Sequence, residues 1–323
     1  MIVTRLPDNK QVSQQTRPAR VLKSACGQHY VTDPRSIAVT FVTVSCMLTT
    51  VISTMPARLP FELLAHILDI VASCRYEDFP STSESTLRNC ALVSSQLVAP
   101  CQKYLFSHIQ ISFRRPNAIS RLQKILDVDS PHIGSYVKVL SVTFLSQKDL
   151  RRPGLDRILQ RCTQVTSLTI GSEVTATWEA VSENTRQALE SIIHSPTCKS
   201  LSFYAFHLPL SIFLDPGGNH NLESLCFVVE GIPNQGSLVP LSGNIPDRAE
   251  SYASLRFLSV LPWMMPVLLS AKLQDGQYLF DLTSLGTLSV DYMHWRSTAD
   301  VIMQMLGRTP HLGCLWLNLS PCK

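Results

Sequence analysis

A six-residue pattern, apolar–x–x–Leu–x–apolar, occurs seven times in the second two-thirds of the chain. The copies are VKVLSV (137–142), VTSLTI (165–170), CKSLSF (198–203), LESLCF (222–227), LRFLSV (255–260), LGTLSV (285–290) and LGCLWL (312–317). Their central leucines, 140, 168, 201, 225, 258, 288 and 315, are separated by 28, 33, 24, 33, 30 and 27 residues. FSHIQI (106–111) reads as an eighth, degenerate copy. The last three positions of each copy alternate apolar, polar, apolar, which is the period-2 mark of a strand with one buried face. Between the copies lie helical stretches: AISRLQKILDV, GLDRILQRC, the long TWEAVSENTRQALESIIHS and TADVIMQML. One strand–helix unit cannot hide its own apolar edge. The pattern therefore predicts stacked units, with a parallel sheet on one side and helices covering the other.

This strand-then-helix period resembles that of leucine-rich-repeat proteins, which implies a solenoid over residues 107–323. The polar positions that follow the central leucines, Ser141, Thr169, Ser202, Ser259 and Ser289, would then line the exposed sheet face and are the expected contacts for a target protein. They are small and uncharged, so they do not name that target. Only six residues follow Leu317, which predicts either a truncated array or a terminal edge covered by a partner, since solenoid ends need shielding.

Ahead of the repeats, residues 58–106 read as three short helices. Leu63, Leu64, Ile67, Leu68 and Val71 recur at helical spacing, with Glu62, Ala65, His66 and Asp69 on the other side. Pro60 suits the first helical turn, where its missing N–H costs nothing. YEDFPSTSES reads as a loop on composition. Leu87, Cys90 and Ala91 begin a second stripe, extended by Leu92 and Val93, and Ser94 or Ser95 is placed to cap the third helix. That helix is marked by Leu97, Cys101, Tyr104 and Leu105, with Pro100 tolerable only near its start.

The string LPFELLAHIL…TLRNCALVSSQLVAPCQKYLF (59–106) resembles the F-box-like motif common in fungal proteins, and the wandering repeats behind it resemble the irregular repeat domain that often follows that motif. The usual Trp of the third helix is here Leu97. The resemblance implies a 56–106 module that docks on the Skp-type adaptor of a cullin–RING ubiquitin ligase. It places Leu59, Pro60, Leu63, Leu64, Ile67, Leu87, Leu92, Val93 and Leu97 at or behind that interface, with the cullin scaffold reached through the adaptor. The expected fold class is α/β: a three-helix F-box-like module followed by a leucine-rich-repeat-like solenoid. The alternative is a repeat scaffold for protein–protein interaction whose front helices cap the array and never meet an adaptor.

Charge narrows the partners. The net +4 is confined to residues 1–55, which hold six Lys/Arg against two Asp/Glu; the remainder has 22 of each. A neutral body offers no footprint for phosphate backbones, so nucleic acid is not an expected partner. Within 1–55 the stretch 37–52 is apolar but only 16 residues long and rich in Thr. As a helix it would span roughly 24 Å, short of the ~30 Å hydrocarbon core. A disordered or mis-annotated leader is favoured over a membrane anchor.

Chemistry finds no foothold in the sequence. Ten cysteines occur without a CxxC pair or a His at ligand spacing, which reads as core thiols in a reducing, cytoplasmic or nuclear compartment. There is no GxSxG, P-loop, GxGxxG or HExxH string. DPGGNHN (215–221) reads as a turn. The expectation is a non-enzyme with no cofactor and no metal.

Overall fold

The computed structural model describes residues 60–73, 80–114, 117–127, 132–213, 221–228, 253–261, 264–272, 278–293 and 295–319. The 1–55 leader with its 37–52 stretch, Leu59 and most of the 215–221 turn lie outside the described residues.

Three helices come first: α1 (Phe61–Ser73), α2 (Pro80–Val93) and α3 (Ser95–Leu105). The composition of YEDFPSTSES suggested a loop, yet α2 already starts at Pro80. The fixed φ of Pro80 is pre-organised for a first helical position. Ser94 is the cap of α3: its backbone is extended and its side chain accepts from the Gln96 N–H at 3.3 Å. Pro100 lies inside α3, not near its start. The bond it forfeits belongs to the carbonyl of Gln96, four residues back, and Gln96 is exposed. Leu68, Val71, Leu87, Cys90, Leu97 and Cys101 fill the space between the three helices.

The body follows: β1 (His108–Ser112), α4 (Ala118–Asp127), α5 (His132–Tyr136), β2 (Val139–Phe144), α6 (Leu155–Arg161), β3 (Ser167–Thr177), α7 (Glu183–Ile193), β4 (Ser200–His207) and β5 (Ser224–Val228). It continues with β6 (Ala253–Ser254), β7 (Phe257–Val260), α8 (Met265–Ser270), β8 (Phe280–Asp281), β9 (Thr287–Met293), α9 (Trp295–Gly307) and β10 (Cys314–Leu319). Eight strands form one sheet in the order β1-β2-β3-β4-β5-β7-β9-β10, and every pairing in it is parallel. The two-residue β6 and β8 pair separately. The fold is thus mixed α/β on a parallel sheet.

Register follows the leucine period. Ile109, Leu140, Leu168, Leu201, Leu225, Leu258, Leu288 and Leu315 are direct neighbours across successive strands. The degenerate first copy therefore pairs as the others do. A second repeat lies just before each strand. The Ser107 carbonyl accepts from the N–H groups of Lys138 and Val139, and the Lys138 carbonyl from those of Thr166 and Ser167, all at 2.8–3.0 Å. The same double acceptance recurs at Thr166, Lys199, Glu223 and Arg256, and ends with Gly286 accepting from Gly313 and Cys314. Backbone polar groups at the turn into each strand are satisfied by the preceding unit, which makes stacking obligatory.

One face of the sheet carries the apolar residues. Leu140, Val142, Leu168, Ile170, Leu201 and Phe203 pack with Ile119, Leu126, Leu155, Ile158 and Leu189 of the helices in a continuous core that runs through Leu288 and Met305. The stretch TWEAVSENTRQALESIIHS is not one helix. β3 extends to Thr177, a single 3-10 turn covers Trp178–Ala180, and α7 begins only after Val181, whose backbone is extended. Trp178 holds that break: it is buried, and its indole N–H donates to Glu190 Oε1 at 3.1 Å. Backbone proximity groups Leu59–Lys323 as one compact unit, and α3 packs on α5. The buried residues of the three-helix bundle nevertheless stand apart from the continuous core of the sheet.

Candidate functional site

Two surfaces emerge, each built from residues that the sequence singled out. The first is on the bundle. Leu63 and Val93 are half exposed, and Leu92 is 85% exposed. Pro60 is exposed, and Leu64 and Ile67 are partly covered. Leu87 and Leu97 are sealed inside the bundle at 0% and 4% exposure, so they can stand only behind a surface, never in it. Leu59 lies outside the described residues.

Two residues escaped the sequence reading. Phe61 and Ile70 are about half exposed. Leu63, His66 and Ile70 stand three and four residues apart and share one side of α1, opposite the buried Leu68, Val71 and Ala72. The available signal was Ile70 itself, a large aliphatic in phase with the polar stripe. Large apolar side chains turned outward on two helices of one small bundle are unusual for a surface with no partner.

The second surface is the uncovered face of the sheet. Ser141, Thr169 and Ser202 are consecutive neighbours across β2, β3 and β4, and Cys226, Ser259 and Ser289 continue the same row across β5, β7 and β9. All five expected contact residues are thus brought into one line, with Gln110 and Trp316 at its ends. At about 4.8 Å per strand the eight positions extend roughly 34 Å. Ser259 is the exception in exposure, at 5%; the other four are partly exposed. Hydroxyls continue in the preceding row, where Ser167, Ser200 and Ser224 are neighbours.

Farther along the strands this face is closed by an aromatic. The Tyr204 ring lies directly over Gly171, where any Cβ would collide with it, and Tyr204 Oη hydrogen-bonds Thr143 Oγ1 at 2.6 Å. At the opposite rim, Lys199 Nζ is 2.9 Å from Glu223 Oε1. That hydrogen bond and charge, aided by Arg256, hold the Glu223 carboxyl below its usual range. Among the described side chains the face is neutral in its middle and charged at its rim, an arrangement suited to shape and hydrogen-bond recognition.

At the final strand the leucine row changes character. Leu140 through Leu288 are 0–1% exposed, but Leu315 is 38% and Trp316 57% exposed, because among the described residues β10 has a strand on one side only.

Four buried thiols, Cys90, Cys101, Cys162 and Cys198, are poor nucleophiles. Burial pushes Cys101 up to about 11 and Cys162 and Cys198 up to about 12, and it raises Cys90 as well. These groups stay protonated, and so unreactive, at neutral pH. Among the described residues no group of three or more His, Cys, Asp or Glu is arranged to hold a metal ion, and no helix is long and apolar enough to cross a membrane. No protein-family model, no curated protein and no solved structure matches the chain.

Proposed function

We propose that this protein is a substrate receptor of an SCF-type cullin–RING ubiquitin ligase, itself without catalytic chemistry and working in the cytoplasm or nucleus. The α1–α3 bundle is its F-box-like module and takes the Skp-type adaptor. The strand–helix units behind it form an irregular leucine-rich-repeat-like solenoid whose hydroxyl-lined face takes the target protein. Such a receptor acts by effective concentration, holding a target lysine beside a charged conjugating enzyme.

One observation carries the reading: Leu63, Ile70, Leu92 and Val93 face solvent on helices whose own interior is already filled by Leu68, Leu87 and Leu97. Burying such side chains against a partner gains roughly 25 cal/mol per Å² of apolar area. The test is co-purification of the full chain with a Skp-type adaptor. The wild type is expected to capture adaptor, and Leu63→Asp/Leu92→Asp to weaken capture by about a hundredfold or more, with an unchanged unfolding midpoint. Equal capture by both chains, or none by the wild type, overturns the proposal.

A second reading draws on the packing of α3 against α5 and on Ser107, which sits at the end of α3 and opens the carbonyl ladder. There the bundle is an N-terminal cap on a scaffold. It expects no adaptor capture by the wild type.

A further inference from the structure

The outer side of the helix layer carries charge that neither surface above uses. Helices α4, α6 and α7 pack side by side over the leucine face of the sheet. Ile119 and Leu126 of α4, and Leu155, Ile158 and Leu159 of α6, point into the core. Arg121 and Lys124 of α4 and Arg157 and Arg161 of α6 are exposed. Residues three and four apart share one side of a helix, so these form two adjacent cationic rows, the α4 row ending at the exposed Asp127. None of the four has an ion-pair partner among the described residues. The patch stops at α7, whose exposed positions are Glu183, Asn184, Gln187 and Ser191. The balanced charge of the body conceals this arrangement. Residues 114–161 hold ten Lys/Arg against four Asp/Glu, a balance of +6, and residues 162–323 hold eight against thirteen, a balance of −5.

We infer that the outer face of α4 and α6 docks an acidic polypeptide segment, a run of Asp and Glu in extended conformation. Three of the four cations are arginines, whose forked donors suit carboxylates. Side chains along one helix side are spaced about 5–6 Å, close to the roughly 6.6 Å between alternate residues of an extended chain. The surface lacks what other anionic partners use. The exposed large apolar residues, Phe61, Leu63, Ile70, Leu92, Val93, Tyr278, Met303, Leu315 and Trp316, all lie off α4 and α6. No aromatic is there to stack on a base, and no aliphatic is there to enter a bilayer. This face lies on the helix side of the sheet, away from the hydroxyl row, so it would serve a partner additional to the target.

The test is fluorescence anisotropy of the full chain with a labelled peptide of alternating Glu and Ser, roughly a dozen residues long. Binding is expected at low salt and should weaken steeply as the screening length falls below about 10 Å. Arg121→Gln/Lys124→Gln/Arg157→Gln/Arg161→Gln should weaken it about tenfold or more. Neutralising four cations elsewhere, Lys103→Gln/Lys138→Gln/Lys199→Gln/Arg256→Gln, should change it by less than about twofold. If the fourfold α4–α6 variant fails to fold, Arg121→Gln/Arg157→Gln is compared with the same control. Absence of binding at low salt, or equal losses in the two sets, overturns the inference. So does tighter capture of a poly-dT oligonucleotide or of phosphatidylserine vesicles than of the peptide.

Discussion

The bundle and the sheet-based body both have to hide leucines, and they do so at different scales. In the body, each central leucine from Leu140 to Leu288 is covered above and below by its counterparts on neighbouring strands and from behind by helices, leaving 0–1% exposed. In the bundle, three helices of 11 to 14 residues cover Leu68, Leu87 and Leu97 but leave Leu63 and Leu92 outside. The difference is one of surface to volume: fewer than about fifty residues cannot enclose all the apolar surface they carry. The sheet gains a covered leucine with every strand, so most of its deficit falls in the last helix and strand, at Met303, Leu315 and Trp316. The bundle's deficit is spread over its face. Under the proposed function, the bundle's uncovered side chains take the adaptor and the open sheet takes the target.

The largest expected effect breaks the body. Gly171→Val would drive a branched side chain into the Tyr204 ring and separate Tyr204 from Thr143. Overpacking and the lost hydrogen bond together should cost roughly 3–4 kcal/mol, measured by urea unfolding. Tyr204→Ala added to Gly171→Val should recover most of the loss. If it does not, the ring is not what excludes a side chain at this position.

Leu97→Trp tests whether the bundle's core is separate. The substitution restores the indole usual in the motif that the sequence resembles, yet Leu97 is 4% exposed in a filled interior. It should destabilise the bundle by about 1–3 kcal/mol and should not improve adaptor capture. Hydrogen exchange gives the sharper readout. Amides of α1–α3 should lose protection, while those of β3, β4 and β5 keep theirs. Equal loss in both would mean that the two cores unfold as one.

The smallest effect is at the rim. The Glu223 carboxyl titrates below its ordinary value of 4.5 because of Lys199. A lowered pKa contributes stability that is present above the ordinary value and lost as pH falls through the folded one. Glu223→Gln should therefore flatten the acid side of the stability profile slightly and leave pH 7 almost unchanged. A variant that is markedly less stable at pH 7 would give this exposed pair a weight that surface ion pairs rarely have.

Much of the body was legible beforehand. The spacing of the leucines marked every strand of the main sheet, including the degenerate copy at Ile109, and it set their register. The failures were local. Pro100 was expected only near the start of its helix and composition read a loop through Pro80, but the carbonyl that Pro100 leaves unpaired belongs to an exposed residue, and Pro80 suits the first position of α2. The long 177–195 stretch was read as continuous because its apolar residues keep helical phase. Trp178, bonded to Glu190, breaks it with a turn that no periodicity records. The cationic rows of α4 and α6 were hidden because a balance summed over 268 residues averages +6 against −5.

What the amino-acid order alone determined is which side chains share a face and which residue lies beside which across the sheet. A period-2 strand with one apolar side has a single register that buries that side. What only the tertiary structure decided is which apolar side chains of the bundle remain uncovered. Leu63 and Leu87 carry the same chemistry and both fall on apolar stripes, yet one is half exposed and the other sealed. Burial depends on what a neighbouring element brings into contact, and periodicity describes one element at a time.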